Sequence, residues 1–437
     1  MPCYGAFSPE VALKAFVIFL FVSTSLCTLR ADEITIKQRS HAGQAVYMEA
    51  LNRLEQHDYK AAADGFRQAA DLSPDWSKPW LGLAQVAMDQ GKVSEAAIAL
   101  RKASAVSPKN PEVTRAWGRY YVSTKNTPQA EASFKQAIQL APQWALPCID
   151  AGDLFAFQGR IDQAIAMYRQ AIVLEPDHAG ARFALGNMLA KQGKWADAQK
   201  EFESALRITP NSLLATEGLA GTYIAQRQPA NAEKLYQSTL KTEPNSANLH
   251  LAFGDLLLSE NKLQDALKQF QTATYLDPKF PAAYAHLGIC YEMLKDSADA
   301  ERAYRSALAI SRDDPMTLNN LAWLFVTDNR NLDEAIGFAK RATEVAPKVW
   351  LYSETLGWAY RSKGDRQQAI AALKKAATLN LKNATAWYRL GIAYQESGQV
   401  GLASSSFAKA LHLNSQFESA TDAKVRLAQL RLKPVRQ

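Results

Sequence analysis

Small and apolar residues recur along the chain at helical spacing, in a pattern that repeats every 34 residues. In "KWADAQKEFESALRI" (194–208), Ala198, Phe202 and Ala205 stand at i, i+4 and i+7, on one face of a helix, with charged residues between them. The first of these columns is alanine throughout: Ala62, Ala96, Ala130, Ala164, Ala198, Ala232, Ala266, Ala300, Ala335, Ala369 and Ala403. Four residues on comes a large residue in most copies (Phe66, Leu100, Phe134, Tyr168, Phe202, Tyr236, Phe270, Tyr304, Leu373, Phe407), and three further a small one. Earlier in each copy a Gly or Ala, from Ala50 to Gly391, has apolar residues before and after it, as in "RFALGNMLA" (182–190). Prolines punctuate the series at 74, 108, 142, 176, 210, 244 and 278. Beyond 278 the frame continues through Arg312, Pro347, Leu381 and Ser415, with one residue inserted in the ninth copy.

Each copy therefore predicts two helices. Turn residues such as "QGR" (158–160), "QGK" (192–194) and "KGD" (363–365) separate them, with glycine suited to a helix C-terminus. Proline after the second helix cannot continue it and sets the start of the next. A helix pair of this size cannot bury its apolar face alone, and stacked neighbours bury it for one another. Small residues let helix backbones approach, and the large residue fills the space beside them. The expected architecture is an all-α solenoid of eleven helix–turn–helix units over residues 43–415. A capping helix and basic tail over 416–437 then cover the last unit, with "ESATDAKVRLAQLRL" (418–432) as that helix. The first unit departs from the pattern, with Val46, Ala50 and Arg53 at its leading places. The ninth carries Ala339 where an aromatic is usual, which predicts looser packing there.

This pattern resembles the tetratricopeptide repeat family, whose units read Trp-x2-Leu-Gly-x2-Tyr, Ala-x3-Phe-x2-Ala, then Pro. "WYRLGIAYQESGQVGLASSSFAKA" (387–410) matches through Trp387, Leu390, Gly391, Tyr394, Ala403, Phe407 and Ala410. The resemblance implies a right-handed superhelix whose first helices line a concave groove that takes partner peptides or helices. Carried over by place in the unit, the groove positions are Arg115, Arg119, Ile149, Asp153, Phe183, Asn187, Glu217, Leu251, Asp255, Asn319, Trp323, Glu354, Trp358 and Tyr388. They vary from unit to unit while the stacking columns do not. Arg115 and Arg119, four apart on one face, suit an acidic group of a partner or a bridge to Asp153 on the next unit. Trp323 and Trp358, equivalent in adjacent units, suit an aromatic step in the groove or packing between repeats. The Lys/Asn carboxylate clamp of chaperone-binding relatives is not matched by Tyr47, Leu51, Leu81 and Gln85. An asparagine ladder is not matched by the scattered Asn187, Asn319 and Asn320.

Composition narrows the function classes. The 437 residues are 48 % hydrophobic and 21 % charged, with a net charge of +7. Acids and bases are interspersed, so no extended basic stripe tracks a phosphate backbone and no nucleic-acid partner is expected. The tail 424–437 holds Lys424, Arg426, Arg431, Lys433 and Arg436 with no acid. Cys3, Cys27, Cys148 and Cys290 have no Cys-x-x-Cys spacing, and the six histidines form no HExxH, so neither a metal nor a cofactor is expected. No phosphate loop or G-x-S-x-G is present, and the repeats leave only 1–42 and 416–437, too little for a catalytic domain.

Residues 1–31 change the picture of location. Lys14 precedes an uncharged run from Ala15 to Leu29, shorter than the roughly 20 residues a bilayer span needs. A secretory signal cleaved near Ala31 fits this, and an uncleaved N-terminal anchor over 12–30 or a buried helix are the other readings, with 32–42 a short linker. Either of the first two places the repeats outside the cytoplasm. The expected function is a non-catalytic protein–protein interaction scaffold of the cell envelope. The alternatives are a non-catalytic regulatory subunit of a transferase and a membrane-anchored assembly factor for secretion, pilus or polysaccharide machinery.

Overall fold

Helix pairs fill the chain in the register that the repeat sets. The computed structural model describes residues 41–432. The leader, nearly all of the expected linker and the last five residues of the basic tail lie outside them. Two compact units divide the chain, one ending at Leu235 and one beginning at Tyr236.

In the first unit the helices are α1 (His41–Glu55), α2 (Tyr59–Leu72), α3 (Ser77–Asp89), α4 (Val93–Val106), α5 (Pro111–Ser123), α6 (Thr127–Leu140), α7 (Ala145–Phe157), α8 (Ile161–Leu174), α9 (Ala179–Lys191), α10 (Trp195–Ile208) and α11 (Leu213–Ala225). Helix α12 (Pro229–Thr242) carries the boundary. The second unit holds α13 (Ala247–Ser259), α14 (Leu263–Leu276), α15 (Pro281–Met293), α16 (Ser297–Ile310), α17 (Pro315–Thr327), α18 (Leu332–Val345), α19 (Trp350–Lys363), α20 (Arg366–Leu379), α21 (Ala384–Glu396), α22 (Val400–Leu413) and α23 (Ala420–Leu432). The fold is an all-α solenoid, with no strand among the described residues.

The repeated columns are the core. Ala62, Ala130, Ala198, Ala266, Ala335 and Ala403 are fully buried, as are Phe66, Phe134, Phe270 and Phe407. Polar side chains close the helix starts. Asn110, Ser212, Ser246, Asp314 and Asn383 accept from backbone N–H groups of the turns they precede. Within each unit, first helices also meet the first helix of the neighbouring pair, so they form one row whose face is the candidate groove.

Between the two helices of every pair, one residue adopts the left-handed conformation at the same place in the repeat. Five are glycines, Gly91, Gly159, Gly193, Gly364 and Gly398, and six are not: His57, Lys125, Arg227, Asn261, Lys295 and Asn329. The inserted residue of the ninth copy lies in this turn, where Asn331 is left-handed too (φ 47°), a conformation asparagine tolerates. Ala339 is fully buried there and lies in one core cluster with Phe325 of the first helix, which is fully buried too. At the end of the chain Ala420, Ala423 and Leu430 of α23 pack with Phe407 and Phe417, covering the last pair.

Candidate partner-binding groove

The groove face begins with a polar cluster in the first unit. Arg115 on α5 is not tied to Asp153. Its Nε and Nη2 donate to the two oxygens of Asp150 on α7, with both side chains buried, and its guanidinium lies 5.5 Å from the centre of the Trp144 ring. Asp153 instead accepts from the Tyr168 hydroxyl at 2.6 Å. Burial, with Asp150 nearby, pushes the Asp153 carboxyl up to about 7, and raises the Tyr168 hydroxyl further still. Arg119 is buried beside Arg115, and both effects lower it to about 10. On α3, Asp89 accepts from Gln85 Nε2 at 2.6 Å, and burial raises its carboxyl. Ile149 is buried in the core. Phe183 and Asn187 on α9 are half-buried, the Phe183 ring 5.8 Å from that of Phe202, while Glu217 is exposed.

In the second unit, Asp255 on α13 is half-exposed and meets Nδ1 of His286 on α15; Leu251 is half-buried. Trp323 on α17 and Trp358 on α19 are half-buried and do not form a bare aromatic step. The Arg389 guanidinium from α21 lies between them, 5.0 Å from the Trp323 ring and 5.1 Å from that of Trp358. Arg361 lies 4.4 Å from the Trp358 ring and is bound through Nε and Nη2 to Glu396. The result is a stack of alternating rings and cations. Arg389 Nη1 holds Oε2 of Glu354 at 3.0 Å. Glu354 is buried, which raises its carboxyl against the opposing effect of Arg389. Asn319, one pair earlier on the same face, is also buried. Tyr388 is turned to a structural task, its hydroxyl donating to Asp422 of α23 at 2.6 Å and its ring packed on Phe407 and Phe417.

The expected positions thus divide. Arg115, Arg119, Asn319 and Glu354 are buried in the groove wall, while Asp153, Phe183, Asn187, Asp255, Trp323, Trp358 and Tyr388 keep partial exposure. Three residues of this face are absent from the positions expected of the sequence: Asp150, His286 and Arg389, each one place beyond the position that selects the others. Arg115 and Asp150 are 35 residues apart, one period plus one, and so are Glu354 and Arg389. Complementary charges at that spacing are the signal that finds Asp150 and Arg389, while His286 stands 31 residues after its partner Asp255.

Among the described residues no group of three or more His, Cys, Asp or Glu is placed to hold a metal ion, and no helix is long and apolar enough to cross a membrane. Cys148 and Cys290 are buried free thiols, each raised to about 11 by burial. In the tail, Arg426 is engaged by Asp422 and by Gln395.

Family models match along most of the repeat array. "Tetratricopeptide repeat" models match residues 189–252, 251–315 and 384–417, a "TPR repeat" model matches 357–398, and the "Cilia and flagella-associated protein 70 C-terminal domain" matches 38–218. The chain belongs to the tetratricopeptide repeat family. It is similar to the Protein O-mannosyl-transferase TMTC3 of Homo sapiens, 29 % identical over 182 residues, 38 % of this chain and 20 % of that protein. It is also similar to the BBSome complex member BBS4 of Bos taurus, 30 % identical over 147 residues, 34 % of this chain and 28 % of that protein. The chain thus matches under a third of the length of either relative. Among solved structures, the yeast Tom70 aligns over 89 % of this tetratricopeptide repeat chain and 96 % of its own, at 13 % identity and a TM-score of 0.47.

Proposed function

We propose that this tetratricopeptide repeat chain is a non-catalytic scaffold that holds a segment of a partner protein against the face of its first helices. The observation that carries the reading is the stack of Trp323, Arg389 and Trp358. Two large indoles with partial exposure stand in adjacent repeats, fixed by a cation that is itself fixed by Glu354. Rings held in place lose little freedom on binding, which is what makes aromatic side chains effective anchors. One relative is a member of the BBSome complex, which favours the same reading.

The apolar run before residue 31 supports a place outside the cytoplasm, with the repeats exported and the leader cleaved or kept as an anchor. The likeness to a stretch of an O-mannosyl-transferase favours, as a second reading, a non-catalytic module that serves a transferase.

Affinity capture by the full chain tests the scaffold, compared with a Trp323→Ala/Trp358→Ala variant that melts at the same temperature. A defined protein retained by the native chain and lost by the variant supports it, and equal retention moves binding away from this face. Turnover of a glycosyl donor by the purified chain alone would contradict the non-catalytic reading. An intact mass lacking residues 1–31 decides between cleavage and anchoring.

A further inference from the structure

Residues 366–437 hold eleven Lys and Arg, with Glu396, Glu418 and Asp422 as their acids, so the net charge of +7 is gathered at this end of the chain. The second helices expose the imbalance. Each second helix from α2 to α18 contains at least one Asp or Glu, while α20 and α22, the last two, contain none. Lys374 and Lys375 on α20, Lys382 in the turn that follows and Lys409 on α22 are exposed, and among the described residues none of them is held in an ion pair. Lys375 and Lys409 stand at one place in adjacent pairs. One pair earlier, the equivalent Arg341 is bound through Nε and Nη2 to Asp313. Of the acids at this end, Glu396 is held by Arg361, Asp422 by Tyr388 and Arg426, and Glu418 lies in the turn before α23. Asp365 caps the far end of α20, accepting from the backbone N–H of Gln368. Leucines stand exposed among the lysines. Leu379 follows Lys375 by one turn on the same face of α20, Leu402 precedes Lys409 by two turns on the same face of α22, and Leu381, beside Lys382, is 59 % exposed.

We propose that the exposed face of α20 and α22 docks the chain on the surface of an anionic lipid bilayer. Lys374, Lys375, Lys382 and Lys409 meet the headgroup phosphates, and Leu379, Leu381 and Leu402 enter between the headgroups. Charge and apolar character together argue for this occupant. A solvated helix face ordinarily mixes both signs of charge. A face with cations of one sign and apolar side chains among them suits the boundary between headgroups and acyl chains, where the ammonium groups stay with the phosphates and the leucines lose water. A phosphate polymer is held in another way, by cations together with rings on which its bases stack. The aromatic residue of these two helices, Phe407, is fully buried. The contact is peripheral, since no helix among the described residues is long and apolar enough to cross a membrane. It uses the second helices, leaves the face of the first helices open, and does not rest on the groove reading.

The test uses the full chain, native and as a Lys374→Gln/Lys375→Gln/Lys409→Gln variant, with vesicles of phosphatidylcholine alone or mixed with phosphatidylglycerol. All three substitutions are on exposed side chains, and the variant is expected to melt with the native chain. Each lysine near an anionic surface is worth about fivefold in affinity, so the variant is expected to bind the mixed vesicles about a hundredfold more weakly. The difference is expected to vanish on phosphatidylcholine alone and in about 1 M salt. The leader is common to both proteins and cancels in the comparison. A local readout accompanies it: mixed vesicles are expected to slow acetylation of Lys374, Lys375 and Lys409 by an amine-reactive reagent, and to leave the exposed Lys60 of α2 unchanged. Equal binding of the two proteins to the mixed vesicles, or equal acetylation with and without them, would overturn the proposal. Retention of soluble polyphosphate by the native chain and its loss in the variant, with no binding to vesicles, would overturn it too, in favour of a polyanion.

Discussion

Gly118 lies so close under the ring of Phe134 that a Cβ added to it would stand 2.3 Å from Cε1. The two residues belong to the two helices of one pair, and the same approach recurs at Gly152 with Tyr168, Gly254 with Phe270, Gly288 with Tyr304 and Gly391 with Phe407. The second repeat solves the contact otherwise, with Ala84 opposite the shorter Leu100. Alanine in place of a helical glycine gains about 1 kcal/mol of helix propensity. Forcing a methyl into a buried ring costs about 1–3 kcal/mol, so the clash wins. Gly118→Ala is expected to lower the urea midpoint. Adding Phe134→Leu, which reproduces the pairing of the second repeat, is expected to restore part of the loss. A strictly additive double variant would contradict this contact.

What the sequence reveals and what it hides divide along the same line. Ala198 and Phe202 are legible because each must meet an equivalent neighbour in every repeat, which writes a 34-residue period into the chain. Arg115, Asp150, Glu354 and Arg389 meet only once each, so no column marks them. Their pairing depends on how far one first helix is rotated against the next, and spacing alone does not set that rotation. The same cause sends Asp153 to Tyr168 instead of Arg115. Tyr388 holds a groove place in its unit, yet α23 covers that end of the row and takes its hydroxyl.

The left-handed turn residue gives a stabilising change. Lys295 has φ 62° and an exposed side chain, and it stands where five other repeats have glycine. Left-handed backbone costs a non-glycine residue about 1–2 kcal/mol, and the entropy that glycine loses on folding offsets about half of that. Lys295→Gly is expected to stabilise the protein by about 0.5–1 kcal/mol, seen as a rise in urea midpoint without a change in slope. Gly193→Ala should act in the opposite direction by a similar amount, since its φ is 73°. A neutral or destabilising Lys295→Gly would show that the lysine side chain holds the turn.

Asp153 makes stability depend on pH. Its carboxyl is raised in the folded protein from 3.8 to about 7, so the folded state binds the proton more tightly than the unfolded state does. Its contribution is fully present below about pH 4 and is lost as pH rises towards 7. Asp153→Asn keeps an acceptor for Tyr168 and removes the titration. The variant is expected to match the native chain near pH 4 and to exceed it above pH 7. Each tenfold difference in proton affinity between the two states is worth about 1.4 kcal/mol. Reduced for the partial exposure of the side chain, the margin is on the order of 1–2 kcal/mol. Urea unfolding of both proteins across that range checks it, and a constant difference at all pH values would exclude the carboxyl as the cause.

The buried pair of Arg115 and Asp150 allows a sharper test of what the groove wall is for. Arg115→Met leaves the Asp150 carboxylate buried without its cation, which costs about 3–5 kcal/mol. Replacing both, Arg115→Met/Asp150→Leu, removes the stranded charge, and stability is expected to return to within about 1 kcal/mol of the native chain, or above it. Recovery would mean that the pair sets the register of α5 against α7 and that apolar side chains of similar size do it equally well. If the double variant stays as unstable as the single one, the bidentate geometry itself holds the two helices. Arg119 and Asp153, beside the pair, would then owe their positions to it as well. Thermal melts of the three proteins at pH 8 separate the two cases.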